Sequence, residues 1–208
     1  MRDFTVSLAR ILVLTYAVAI CLPPGNSSAQ ENADMHAHHA MTSGVNRSTA
    51  NYTVPDVKLV RADGKTVALP QELDDGRPVV MNFIYTTCTT ICPLMSQTLA
   101  QLQNLLGAER DRVHLVSISI DPEQDTPARL VQYAKRFKAG PEWDHLTGTV
   151  QASEAAQRAF SVFRGDKMSH TPVTLLRAAP GKPWIRFDGF AAPEDLLHEI
   201  HKMGIATK

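Results

Sequence analysis

Val79-Val-Met-Asn-Phe-Ile-Tyr85 is an almost unbroken apolar run, the pattern of a strand buried on both faces. Val113-His-Leu-Val-Ser-Ile-Ser-Ile120 repeats it. Between them, Met95, Leu99, Leu102 and Leu106 recur at helical spacing, which predicts a helix over 93–106 with Pro93 in its first turn and Gly107 at its stop. Ala128–Lys138, Gln151–Phe163 and Pro193–Met203 show the same one-sided pattern and predict three more helices. Asp63-Gly64 between Val57–Val60 and Val67–Leu69 predicts a hairpin, and Pro180-Gly181 between Pro172–Leu176 and Trp184–Phe187 predicts another.

The order is a hairpin, a β-α-β-α unit, a third helix, a second hairpin and a last helix. This is an α/β arrangement similar to a thioredoxin-like sandwich: a mixed central sheet flanked by helices on both faces, with an N-terminal β-hairpin. The sequence shows no internal repeat and no second domain.

The first residues have another character. Arg2 and Arg10 precede the apolar run Ile11–Leu22, which Pro23-Pro24-Gly25 breaks before the small residues Ser27-Ser28-Ala29. Basic, apolar and small-residue regions in that order predict a secretory signal over 1–29, with an apolar run short of the ~18 residues of a span. Ile20 before Cys21 does not fit a lipoprotein signal. Residues 30–50 are polar and aperiodic and read as a flexible linker, leaving 51–208 as the folded domain. The expected location is the bacterial periplasm, either soluble after cleavage or anchored by the N-terminal segment.

Composition removes several function classes. Lys plus Arg and Asp plus Glu both number 21, so a basic nucleic-acid footprint is absent. Cleavage near Ala29 would remove Cys21 and leave Cys88 and Cys92 as the only thiols. In an oxidising compartment such a pair can form a disulfide, but so short a loop staples little. Redox chemistry or metal binding explains it better. The pair stands at i, i+4 where a strand enters a helix, so both sulfurs can share a face beside unpaired N–H groups that favour thiolate.

Two thiolates leave room for a third soft ligand. Cys88 and Asp121 follow parallel strands, and a strand starting at Pro172 and running antiparallel to them would bring His170 to the same edge. Two sulfurs and an imidazole suit Cu(I); Cu(II) would add an oxygen ligand, and zinc would prefer four ligands. Met168 is a further soft side chain near this edge, read as a loop or core residue, while His198 and His201 read as surface histidines. In the linker, Met35, His36, His38, His39 and Met41 form a secondary candidate copper tract.

Phe83-Ile-Tyr-Thr-Thr-Cys-Thr-Thr-Ile-Cys-Pro93 resembles the CxxxCP signature of the Sco/SenC family. Ser119-Ile-Asp-Pro-Glu-Gln-Asp-Thr-Pro127 resembles its second motif, and His170 falls where the family places its histidine ligand. The likeness spans roughly Asn51 to Met203. It implies a copper-binding protein on the thioredoxin-like fold that uses Cys88, Cys92 and His170 as ligands, with Asp121 and Asp125 supporting the site. It also implies a role in building the copper-A centre of cytochrome c oxidase, by donating copper, by reducing the target cysteines, or both. The implied partners are the copper-A subunit or another cuproprotein, a periplasmic copper donor and a thiol reductant, met by a monomer with no nucleic acid. The second reading is a thiol–disulfide oxidoreductase that uses Cys88 and Cys92 without obligatory copper.

The chain departs from the family pattern in places. Thr89, Thr90 and Ile91 bring no acid between the cysteines, and Ser169 replaces the usual acid before the histidine. Thr171-Pro172 looks like the Thr-cis-Pro element that faces the cysteines of thioredoxins.

Overall fold

The computed structural model describes residues 44–204. The expected signal and the Met35–Met41 tract lie outside the described residues. In chain order the elements are β1 (Asn46–Ala50), β2 (Lys58–Arg61), β3 (Thr66–Ala68), α1 (Leu69–Glu72), β4 (Val79–Ile84), α2 (Ile91–Leu106), β5 (His114–Ser119), α3 (Pro127–Arg136), β6 (Trp143–Thr147), α4 (Val150–Ala159), β7 (Val173–Arg177), β8 (Trp184–Asp188) and α5 (Pro193–Lys202). The strands form one sheet in the order β1-β8-β7-β4-β5-β6-β2-β3. β4, β5 and β6 run parallel, and the other pairings are antiparallel.

The apolar runs predicted as strands are the sheet's centre, and every residue of β4 and β5 is buried. Their side chains alternate between two cores. Val79, Met81 and Phe83 pack with Val116, Ile118, Ala152, Ala156, Phe160 and Trp184 on the α4 side. Val80 and Leu115 pack with Leu99, Leu102 and Leu106 of α2 and Leu196 and Ile200 of α5 on the other. Each buried leucine contributes about 1.5–3 kcal/mol. The N-terminal hairpin forms as expected, with Leu59 opposite Val67. α4 stops at Ala159, before the expected end at Phe163, and Ser161 turns the chain with φ 57°.

Two strands differ from the sequence expectation. Residues 46–50, assigned to the flexible linker, form β1 along β8, with Asn46 opposite Asp188 and Ala50 opposite Trp184. Asn-Arg-Ser-Thr-Ala has no apolar alternation; the strand exists because the open edge of β8 supplies its hydrogen bonds. β6 was not anticipated. It pairs with β5 and β2, and Asp144 and His145 interrupt its apolar pattern.

His145 makes β6 sensitive to acid. The ring is buried between Trp143, stacked at 5.0 Å, and Tyr133, edge-on at 6.2 Å. Burial pushes its pKa down to about 4, against the opposing pull of the Trp143 backbone and Asp144. The folded value lies below the unfolded one, so the unfolded chain binds the extra proton as pH falls from about 6.5 towards 4. Stability is therefore full above that window and is lost on descent through it, by about 3 kcal/mol from this group alone. Urea melts at pH 7 and pH 4.5 should show the loss, and His145→Phe should lose measurably less. An equal loss in both proteins would remove His145 as the cause.

Candidate metal centre

The site sits where β4 and β5 end and β7 begins. Tyr85 follows the end of β4, and a turn closed by the Cys88 N–H donating to the Tyr85 carbonyl (3.2 Å) swings the chain toward α2. Thr90, the residue before α2, offers no side-chain cap. Cys88 acts in its place: its sulfur accepts from the Cys92 N–H at 3.3 Å. The free amides of a helix start therefore point at a thiol, which stabilises negative charge there.

The two thiols, both reduced and both buried, are not equivalent. Burial pushes the Cys88 thiol up, but N–H donation from Cys92 and Thr90, with hydrogen bonds from the Cys92 thiol and the Tyr85 hydroxyl, outweighs it and leaves Cys88 below the ordinary thiol range. Burial pushes Cys92 far above that range, and the Tyr85 N–H, at 3.5 Å from its sulfur, offsets little. Cys88 is 7% exposed and Cys92 is 0% exposed. Cys88 is thus the less covered thiol and the more readily ionised of the two, and Cys92 is the shielded partner.

His170 follows a short 3-10 turn at Lys167–Ser169. Its Nε2 lies 3.0 Å from the Phe83 carbonyl oxygen. A carbonyl only accepts, so Nε2 carries the proton and Nδ1 keeps the lone pair. Burial holds the ring below the ordinary histidine range, partly offset by that hydrogen bond, so it is neutral at pH 7. A neutral imidazole with a free lone pair and two soft sulfurs are a donor set that fits Cu(I).

The three donors share an edge but are not gathered at one point. Among the described residues, the group of three ligand atoms lying within 4.8 Å of one another is that of Glu72, His114 and Asp144. Holding one ion on Cys88, Cys92 and His170 therefore needs the imidazole or the cysteine turn to shift. The Glu72 group already holds a cation of its own. Arg61 forks onto Glu72 at 2.8 and 2.7 Å and lies 3.7 Å from Asp144.

The acidic loop after β5 braces the site, and Asp121 lines the same cavity as His170. The fully buried Asp125 carboxylate accepts from the Thr86 N–H (3.2 and 3.1 Å), the Thr86 hydroxyl (2.6 Å) and the Ser119 hydroxyl (2.6 Å). Asp121 holds Lys167 Nζ at 2.6 Å, tying this loop to the turn before His170. No cis peptide bond occurs among the described residues, so Thr171–Pro172 is trans and lacks the thioredoxin geometry that its sequence resembles. Pro172 joins the site to the sheet instead, its carbonyl accepting from Gly189 N–H at 2.9 Å. His198 is exposed and His201 half-buried on α5, in keeping with surface roles.

Tyr85 is the residue that sequence reasoning missed. Its hydroxyl lies 3.7 Å from Met168 Sδ, to which it can donate, and the residue packs against Cys88, so its one proton is shared between two sulfurs in turn. Burial, with the Cys88 contact, pushes its pKa up to about 12, so it stays a proton donor at neutral pH. Its place three residues before Cys88, at a strand end, was the available signal.

The SCO1/SenC family model matches residues 45–204. The SCO1 protein homolog of Bacillus subtilis is 38% identical over 115 residues, which cover 55% of this chain and 58% of that protein. The chain thus spans under two thirds of that relative's length. Among solved structures, BsSco, a member of the Sco family of cytochrome c oxidase assembly proteins in which a disulfide switch was identified, is 30% identical. It aligns with a TM-score of 0.64 over 77% of this chain and 98% of its own. Arabidopsis thaliana ScoI with copper bound is 27% identical, with a TM-score of 0.60 over 72% and 96% of the two chains. The fold is the mixed-sheet, thioredoxin-like one of these proteins.

Proposed function

The chain belongs to the SCO1/SenC family, and from that premise we propose that it carries copper to an exported cuproprotein, the copper-A site of cytochrome c oxidase first among them. The carrying observation is a pair of sulfurs at a helix start and, on the same sheet edge, a neutral imidazole whose Nδ1 keeps its lone pair. Copper is cargo here, held by Cys88, Cys92 and His170. The site's softness favours Cu(I), and burial of the sulfurs shields them from oxidants. Copper-bound ScoI and the assembly-protein status of BsSco support this reading. The export signal read from the sequence supports a periplasmic site for this exchange. No helix among the described residues is long and apolar enough to cross a membrane.

The inequality of the thiols supports a second activity on the same residues. Cys88 thiolate attacks a target disulfide, one target sulfur leaves as thiolate, and Cys92 then displaces the other. The target gains two electrons and becomes a dithiol, while Cys88 and Cys92 end as a disulfide that a periplasmic dithiol must reduce. Such a step would prepare a copper-A site to receive its metal.

The test is anaerobic Cu(I) competition against a calibrated chelator, using the reduced chain and His170→Ala. The expected result is one tightly bound Cu(I) per chain and an affinity about tenfold or more lower in the variant. Binding indifferent to His170 would sink the three-ligand site. Thiol–disulfide exchange that survives the same substitution would support the second activity as separable.

A further inference from the structure

Copper held by two sulfurs this deeply covered must first meet a ligand outside them. Met168 is 73% exposed, whereas Met81 and Met95 are 0% and 4% exposed and Met203 is half-buried. It is the one exposed soft donor among the described residues. A single exposed apolar side chain is ordinary. What distinguishes Met168 is where its sulfur rests: 3.7 Å from the hydroxyl of Tyr85, a residue packed in one buried cluster with Cys88 and Cys92.

The backbone holds that position from both sides. The Asp166 carboxylate accepts from the Met168 N–H at 2.9 Å. The His170 N–H donates to the Lys167 carbonyl at 3.1 Å, and the His170 ring is fastened to Phe83. Lys167, the one cation on this turn, is tied back to Asp121 at 2.6 Å. The thioether therefore reaches the edge of the site from a fixed turn, beside the tyrosine that packs against Cys88.

We infer that Met168 is the capture ligand of this chain, taking Cu(I) from its carrier and passing it across Tyr85 to Cys88. The inference rests on the copper-carrying reading above. In the first step the Met168 Sδ–Cu bond forms and a carrier–Cu bond breaks; a thioether is neutral, so neither proton nor electron moves. In the second step the Cys88 Sγ–Cu bond forms and the thiol proton goes to solvent. The Met168 bond then breaks as Cys92 and His170 complete the site. Copper stays Cu(I) throughout. Leucine matches methionine in size but lacks the sulfur.

The experiment mixes reduced full-length chain with the Cu(I)–bicinchoninate complex in a stopped-flow instrument, anaerobically, and follows loss of the complex's colour. Every arm carries Cys21→Ser, Met35→Leu and Met41→Leu, so those sulfurs cannot stand in for Met168. Met168→Leu should capture copper about threefold or more slowly, with its equilibrium affinity within about threefold of the reference. An unchanged rate would overturn the inference. So would a rate and an affinity that fall together, because Met168 would then be a resident ligand. A Cys88→Ser arm separates the two levels of argument. If it loses tight copper while Met168→Leu behaves as the reference, capture by Met168 fails and the carrier reading stands. If it holds copper as tightly as the reference, both fail.

Discussion

Cys88→Ser is expected to lower Cu(I) affinity by about a thousandfold, or about 4 kcal/mol. Three effects act together. The substitution removes the one thiol that the helix start and Tyr85 have already biased toward thiolate. It replaces a soft sulfur by a hard hydroxyl. It also leaves Cys92 to deprotonate alone in a 0% exposed position where burial opposes charge. Cys92→Ser should also forfeit tight copper, but the two variants part company in thiol chemistry. At neutral pH the Cys92→Ser chain should still alkylate readily at Cys88, while the Cys88→Ser chain should resist until denatured. Chelator competition and timed iodoacetamide labelling read by mass would measure both. Tight copper in Cys88→Ser would move the site elsewhere in the chain, and first labelling at Cys92 would reverse the assignment of the attacking sulfur.

The cysteine pair was legible because its meaning is local. A strand-like run, two thiols at i, i+4 and a helical pattern place the sulfurs at a helix start whatever the rest of the chain does. His170 was legible at one remove, since the antiparallel β7 brings its residue beside the end of β4 once the strand order is right. β1 and β6 were not, because each is a strand by virtue of its neighbours. β1 borrows the edge of β8, and β6 lies between β5 and β2 with a histidine inside its pattern. The roles of Tyr85 and Met168 depend on side-chain reach across 83 residues of separation, which no spacing rule carries. The gap between His170 and the sulfurs belongs to the same class: strand order brings residues to an edge but does not set the last few ångströms between their ligand atoms.

Asp125 shows how much of the site's order comes from a residue that never touches its cargo. Asp125→Ala is expected to destabilise the domain by about 3 kcal/mol or more. The carboxylate is 0% exposed and satisfies the Thr86 N–H, the Thr86 hydroxyl and the Ser119 hydroxyl together. Removing it leaves a backbone donor and two hydroxyls without their shared acceptor, and it opens a small cavity beneath the turn that carries Cys88. At about 2–4 °C per kcal/mol for a domain of this size, the melting temperature should fall by about 6–12 °C. Asp125→Asn should cost less, because its remaining oxygen can keep the Thr86 N–H and one hydroxyl while the other hydroxyl rotates to accept from its NH2. The two variants separate bracing from folding. If the carboxylate sets the Thr86–Cys88 turn, Asp125→Asn should retain most of the stability and still bind Cu(I) more weakly. Unchanged copper affinity in a folded Asp125→Asn chain would confine Asp125 to stability alone. A melting temperature for Asp125→Ala within about 2 °C of the parent would mean that the buried donors find other partners.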